Sequence, residues 1–283
     1  MYKIVKAKEL TANIYLMDVT LPTSWNGVDF ASYRCDNHYI EYIHGCFLNQ
    51  GIVIGAGSEN GIVRDCHLTP NCFCVHTDAN WWTGPYVSIM TRGTPFVIGE
   101  SKNQILYHNF TYGAYKGLVV LDGAENAYVL SHGVDSGDIS AYFSGDCSVT
   151  LVNTELVNLF TAGTAKHFNY IYTDEDFTGT LNMINTAGWG TSKNAFNLNG
   201  SGQVNITGAL ITAAGAPLMN LNAGTATVIG LINDSRTTDF KAGDYAISLH
   251  IAGNILNSGL RIDSSFEEIG AEVTGADLEI YAK

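Results

Sequence analysis

At 283 residues, 46% hydrophobic and only 14% charged, the chain can bury a long core and lacks the composition of a disordered segment. A formal net charge of −13 with no basic run repels phosphate backbones and anionic headgroups, so nucleic acid is excluded as a partner. No run approaches the roughly 18 uninterrupted apolar residues of a membrane-spanning helix, so membrane insertion is not expected.

Abundant glycine (30 residues) and scarce proline (5) suit short strands joined by tight bends, and one elongated domain is expected. Residues 1–27 have mixed periodicity and read as an opening segment or cap, which an open-ended stack of strands needs. Their "MYKIVKAKEL" lacks the apolar core of a signal peptide, so no export signal is expected there.

From Val28 onward a ten-residue phrase recurs: "VDFASYRCDN", "GIVIGAGSEN" from Gly51, "NCFCVHTDAN" from Asn71, "TPFVIGESKN" from Thr94 and "GLVVLDGAEN" from Gly117. Successive starts differ by 23, 20, 23 and 23 residues. Weaker copies begin at Asp138, Val157, Asn194 and Pro217. Each phrase is followed by a second short run, such as "GIVRDC", "QILYHN", "AYVLSH" or "SVTLVN", and none of these runs is long enough to favour a helix. A period of this length with two or three short strands describes one coil of a parallel β-helix, whereas the leucine spacing and helical leg of leucine-rich repeats are absent. The expected architecture is all-β, with solenoid coils over 28–235 and terminal strands over 236–283 that close the stack or pair with another chain.

Equivalent residues of stacked coils lie about 4.8 Å apart. Asn37, Asn60, Asn80, Asn103 and Asn126 fall at the same point of their phrases, and asparagine tolerates the left-handed backbone of a sharp bend while its amide can bond to the next. An asparagine ladder is therefore expected. Cysteines at 35, 46, 66, 72, 74 and 147 form neither a disulfide-dense scaffold nor paired zinc knuckles, and read as buried free thiols. In "CFCVHTD", Cys72, Cys74 and His76 read as one side of a strand, where alternate residues stand about 7 Å apart, too far for one zinc ion.

The stretch "NQGIVIGAGSENGIVRDCHL" resembles the coils of the right-handed parallel β-helix, pectate-lyase-like superfamily, and most closely the polygalacturonase style of coil. The resemblance covers about 28 to 230 and implies a polysaccharide or glycan partner, a lyase or glycoside hydrolase activity, and an extracellular or cell-surface location. Tailspikes and adhesins of the same superfamily imply the alternative of a structural solenoid that assembles as a homotrimer or head to tail. The paired aspartates of polygalacturonases are missing, since Asn49-Gln50, Pro70-Asn71, Arg92-Gly93 and Tyr115-Lys116 occupy the corresponding places. Polygalacturonase chemistry by the family mechanism is thus not expected.

If the resemblance fixes the functional face, Asn49, Gln50, Asn71, Arg92, Lys116, Asp135 and Asp138 should line a groove. A lyase needs cations to neutralise a uronate and a base for its proton, roles that Arg92 and Lys116 could fill, with calcium the one cofactor left open. A hydrolase needs two carboxylates about 5 to 9.5 Å apart, for which Asp135 with Asp138, or Glu100 with Asp122, are candidates. His132 precedes the Asp135 bend and is the candidate functional histidine, with a ring satisfied by backbone groups as the alternative. Trp81, Trp82 and Tyr86, in "DANWWTGPYVSIMTRG", are candidate sugar-stacking residues beside Arg92, or else core caps.

Overall fold

The computed structural model describes residues 3–6, 9–75, 85–158, 167–212, 215, 217–233, 240–256, 260–263, 268–273 and 278–281. These form a parallel β-solenoid of about nine turns, as the repeat predicts. Among the described residues every strand pairing is parallel, from Lys3 against Asn26 at one end to Leu260 against Leu278 at the other.

Alternation within each strand decides which side chains enter the core. In one face of the coil the inward column runs Val28, Ile52, Phe96, Leu118, Ala141, Ile171, Phe196 and Met219, each aligned with the next and each buried. A second face stacks Ile40, Val63, Leu106, Val129, Leu151, Met183, Ile206 and Val228 in the same manner. Burial of each large apolar side chain contributes about 1.5–3 kcal/mol, so stacked columns of this kind supply the gain that offsets chain ordering.

Between faces the chain must turn sharply, and it does so with one residue in the left-handed region. At the first corner these residues are Asn13, Asn37, Asn60, Asn103 and Asn126, with φ between 51° and 59°. Their amides bond along the axis, Asn37 Nδ2 to Asn13 Oδ1 at 3.2 Å, Asn103 to Asn60 at 3.0 Å and Asn126 to Asn103 at 3.4 Å. Asn80 lies outside the described residues, and Asn103 donates directly to Asn60.

The coil expected to start at Asn71 is corrected by the structure. Pro70–Val75 is a 3-10 helix and Pro85–Arg92 an α-helix, while Gln50–Ile54 pairs directly with Thr94–Ile98. Two 23-residue steps therefore flank one long coil with an excursion between its strands, and the apparent 20-residue step is not a repeat. Pro85 suits the first turn of a helix, and Gly93 closes it by donating to Ile89 O at 2.6 Å. Ile89 packs with Cys46 and Cys72, which seats the excursion on the outside of the strand Tyr39–Ile54. Cys72 thus lies in a helical turn rather than on a strand, and His76 lies outside the described residues.

A second correction concerns the copy read from Val157. That residue belongs to the short strand Glu155–Asn158, and the strand stacked on Ile139–Phe143 is Asn169–Thr173 instead. Cys35, Cys46, Cys66, Cys72 and Cys147 are buried free thiols, and burial pushes Cys66 and Cys147 up to about 12.

The ladder makes Asn103 a direct test of the corner. Asn103→Ala is expected to lower stability by about 1–2 kcal/mol, because alanine resists the left-handed backbone and removes two amide bonds. Asn103→Gly, which restores the backbone alone, should lose less than half as much in the same urea titration.

Candidate functional site

A second column of left-handed corner residues includes Tyr42, Asp65, His108 and Ser131, continuing to Asn153 and Asn185. Each is followed two positions later by an outward side chain. These outward positions stack as His44, His67, Phe110, Gly133 and Glu155. The residue between points inward, which puts Ile43, Cys66, Asn109 and His132 in the core.

The two outward rows border an open groove of about 360 Å³ that includes His44, His67, His108, Phe110 and Ser131. His44 and His67 meet edge to face at 6.0 Å between centroids, and His67 meets Phe110 at 5.0 Å. Gly133 leaves its outward space to the Phe110 ring, which would lie 2.8 Å from any Cβ there. Burial lowers the His67 pKa, and the neighbouring His44 lowers it further.

One wall is fixed by charge. Asp65 Oδ1 lies 2.6 Å from His108 Nδ1, and Arg64 Nε donates to Asp65 Oδ2 at 2.7 Å. The His108 hydrogen bond and the Arg64 guanidinium hold the Asp65 carboxyl below the usual carboxylate range, against an opposing effect of burial. Arg64 also reaches Glu41 at 3.6 Å, and its guanidinium stands 5.6 Å from the Tyr107 ring centre.

One coil further along the axis the strip becomes acidic. Asp135 is half-buried on the strand Gly133–Phe143, and its pKa is raised to about 6, first by burial and then by the charge of Glu155. Glu155 is exposed and accepts a hydrogen bond from Trp189 Nε1 at 2.6 Å, while the indole itself is 45% exposed. Tyr112 is in register with Asp135 on the neighbouring coil, and Tyr86 of the helical excursion packs against it at 6.1 Å. Burial first, with Tyr112 and Asp135, pushes Tyr86 up to about 12, so its hydroxyl keeps its proton.

The remaining sequence candidates do not converge on one groove. Asp138 is fully buried, accepting from His167 N at 2.6 Å and Phe168 N at 3.3 Å, with His167 Nδ1 at 2.8 Å. It therefore organises the backbone at residue 167 and is closed to a ligand. Lys116 Nζ sits 3.4 Å from the centre of the Tyr142 ring, which stacks on Tyr172, and burial lowers its pKa. The backbone beside Arg92 adjoins Lys116, whose N–H donates to Gly93 O at 3.1 Å, but the Arg92 guanidinium stands 5.5 Å from the Trp25 ring centre, so the two cations engage rings of widely separated coils.

His132 faces the interior, edge-on to Phe96 at 4.9 Å and 1% exposed, rather than the Asp135 face. Neither ring nitrogen is hydrogen-bonded, which replaces the expected satisfaction by backbone groups, and burial lowers its pKa to about 3. Asn71 is exposed and contacts the Thr69 hydroxyl, and Asn49 Nδ2 bonds to Asn26 Oδ1 at 2.8 Å. Trp81 and Trp82 lie outside the described residues. Among the described residues no three His, Cys, Asp or Glu side chains gather as a metal centre requires.

His44, His67, Asp65, His108, Glu155 and Trp189 were not singled out by sequence. Aligning the second run of each coil would have found them, because His44 and His67 recur at the 23-residue step. The chain matches no protein-family model, no curated protein and no solved structure.

The raised pKa of Asp135 has a definite sign. The fold favours its protonated form, so its stabilising share is complete below the unfolded value near 4 and is lost as pH rises through about 6. Asp135→Asn should therefore be more stable than the parent at pH 7.5, by about 1 kcal/mol after solvent screening, and equal to it at pH 3.5. Thermal melts at the two pH values measure the difference.

Proposed function

We propose that this β-solenoid binds a glycan along its second-corner strip and cleaves it by hydrolysis between Asp135 and Glu155. The observation that carries the reading is the unequal carboxyl pair: Asp135 keeps a proton up to about pH 6, whereas Glu155 is exposed and held by the Trp189 indole. A carboxyl that holds its proton, with a second carboxyl on the adjoining coil, supplies the two groups that glycoside hydrolysis needs.

In this reading Asp135 gives its proton to the leaving glycosidic oxygen as the bond to the anomeric carbon breaks. Glu155 accepts a proton from the water that attacks that carbon, so the products are two sugar hydroxyls and the pair is reset by proton exchange. Trp189 orients Glu155 through its N–H and offers an exposed apolar ring to the sugar. Hydrolysis is favoured over β-elimination because Arg92 and Lys116, the cations an elimination would use, each lie over an aromatic ring.

Reducing-end release from a polysaccharide panel tests the proposal. Asp135→Asn and Glu155→Gln should each lower the rate by about 100-fold or more with the fold retained, and the parent's rate should fall above pH 6 as Asp135 ionises. Undiminished release by both variants would remove the pair from the chemistry, and products absorbing at 235 nm would establish a lyase instead.

A structural solenoid is the second reading, and the observation favouring it is a lateral apolar surface. Ile184 and Ile229 lie in one register row, Leu210 and Ile232 in another, and all four are exposed. If this surface joins copies of the chain, sedimentation will show an assembly that Leu210→Asp reduces to monomers. A monomeric parent would dispose of this reading.

A further inference from the structure

The charge arrangement of the groove selects among glycans. Resting on the carbohydrate reading above, we infer that the strip takes an uncharged polysaccharide lying along the solenoid axis, over His44, His67 and Phe110, and does not take a polymer of uronic acids.

The direction follows from the stacking. His44, His67 and Phe110 occupy one register position on successive coils, with ring centres 6.0 and 5.0 Å apart. Rings repeated at roughly the strand spacing offer one apolar contact for each successive sugar of an extended chain. The same row continues through Gly133 to Glu155, so a chain held by the rings is led to the carboxyl pair.

Neutrality follows from the cations. A uronate polymer carries a carboxylate at each sugar, and each needs an unspent positive partner when taken out of water. Arg64 is spent on Asp65 at 2.7 Å and Glu41 at 3.6 Å. His108 turns Nδ1 to the same Asp65, so that even with its ring protonated Arg64, His108, Asp65 and Glu41 together carry no surplus positive charge. In the other row His67 is held toward its neutral form by partial burial and by the neighbouring His44 ring. Beyond those pairings the strip carries the carboxyl groups of Asp135 and Glu155, on a chain of net charge −13. What the groove offers instead is neutral donors and acceptors: imidazole nitrogens, the Ser131 hydroxyl and the Tyr42 phenol on its rim. These match sugar hydroxyls.

The test is affinity electrophoresis at pH 7.5 of the full chain carrying Asp135→Asn, so that bound polymer is not consumed. Gels contain xylan, mixed-linkage β-glucan or galactomannan, or else polygalacturonate or alginate. Retardation by at least one uncharged polymer and by neither polyuronate is expected. His67→Ala and, separately, His44→Ala should weaken that retardation about five- to tenfold, with unchanged far-UV circular dichroism.

Retardation by a polyuronate alone would overturn the inference while leaving a carbohydrate-binding protein. No retardation by any polymer would overturn the carbohydrate reading and the inference together. Retardation by an uncharged polymer that both histidine variants leave unchanged would overturn the placement in this groove. The paired variants guard against one of them misfolding.

Discussion

In-register parallel pairing between successive coils is the constraint on which the rest of this structure depends. Once Val28 is set over Ile52 and Ile52 over Phe96, every inward position must be filled by a side chain that fits between its neighbours above and below. Stability is then shared between adjacent coils, each of which buries its apolar column only because the next is there. Polar groups that enter the core are matched along the same axis, as when Asn109 accepts from Cys66 N and donates to Val63 O at 2.9 Å, or Thr154 meets Thr186 at 3.0 Å. His132 is an exception, and its ring meets Phe96 edge-on in place of a polar partner.

The same register explains which parts of the molecule were legible from sequence. The first corner could be read because one residue type, asparagine, both tolerates the left-handed backbone and bonds to its own kind. The second corner demands the same backbone but fills it with Asp65, His108, Ser131 and Tyr42, so no uniform letter marks it. "NCFCV" imitates an alternating strand, and its offset is close enough to the true step to pass as a coil. The ladder edge it would need is already taken by Thr94–Ile98, so the segment folds as helical turns outside the stack.

Which of the candidate side chains face outward was hidden from the sequence for a related reason. Asp135 and Asp138 look equivalent in a string of letters, yet one faces solvent and the other is buried. Register irregularities in the pairing of Phe110–Val120 with Gly133–Phe143 fall between these positions and break simple alternation. His132 was assigned to the functional face by proximity in sequence, whereas its position next to outward Gly133 commits it to the interior. Asp135 itself was recognisable as a carboxyl at a strand start, but its counterpart Glu155 comes from the next coil and is invisible to any local motif.

That division of the pair between coils gives the solenoid an evolutionary lever. Solenoids lengthen and shorten by gaining or losing whole coils, since each new one only needs to match its neighbours. A coil duplicated between Asp135 and Glu155 would preserve the core columns and both corner columns while moving the two carboxyl groups apart by about one strand spacing, about 4.8 Å. The proposed hydrolysis already admits a water between the two carboxyl groups, so a further strand spacing would carry them beyond the separation at which they act on one bond. A single duplication would thus switch cleavage off while leaving the fold, the groove and both residues intact.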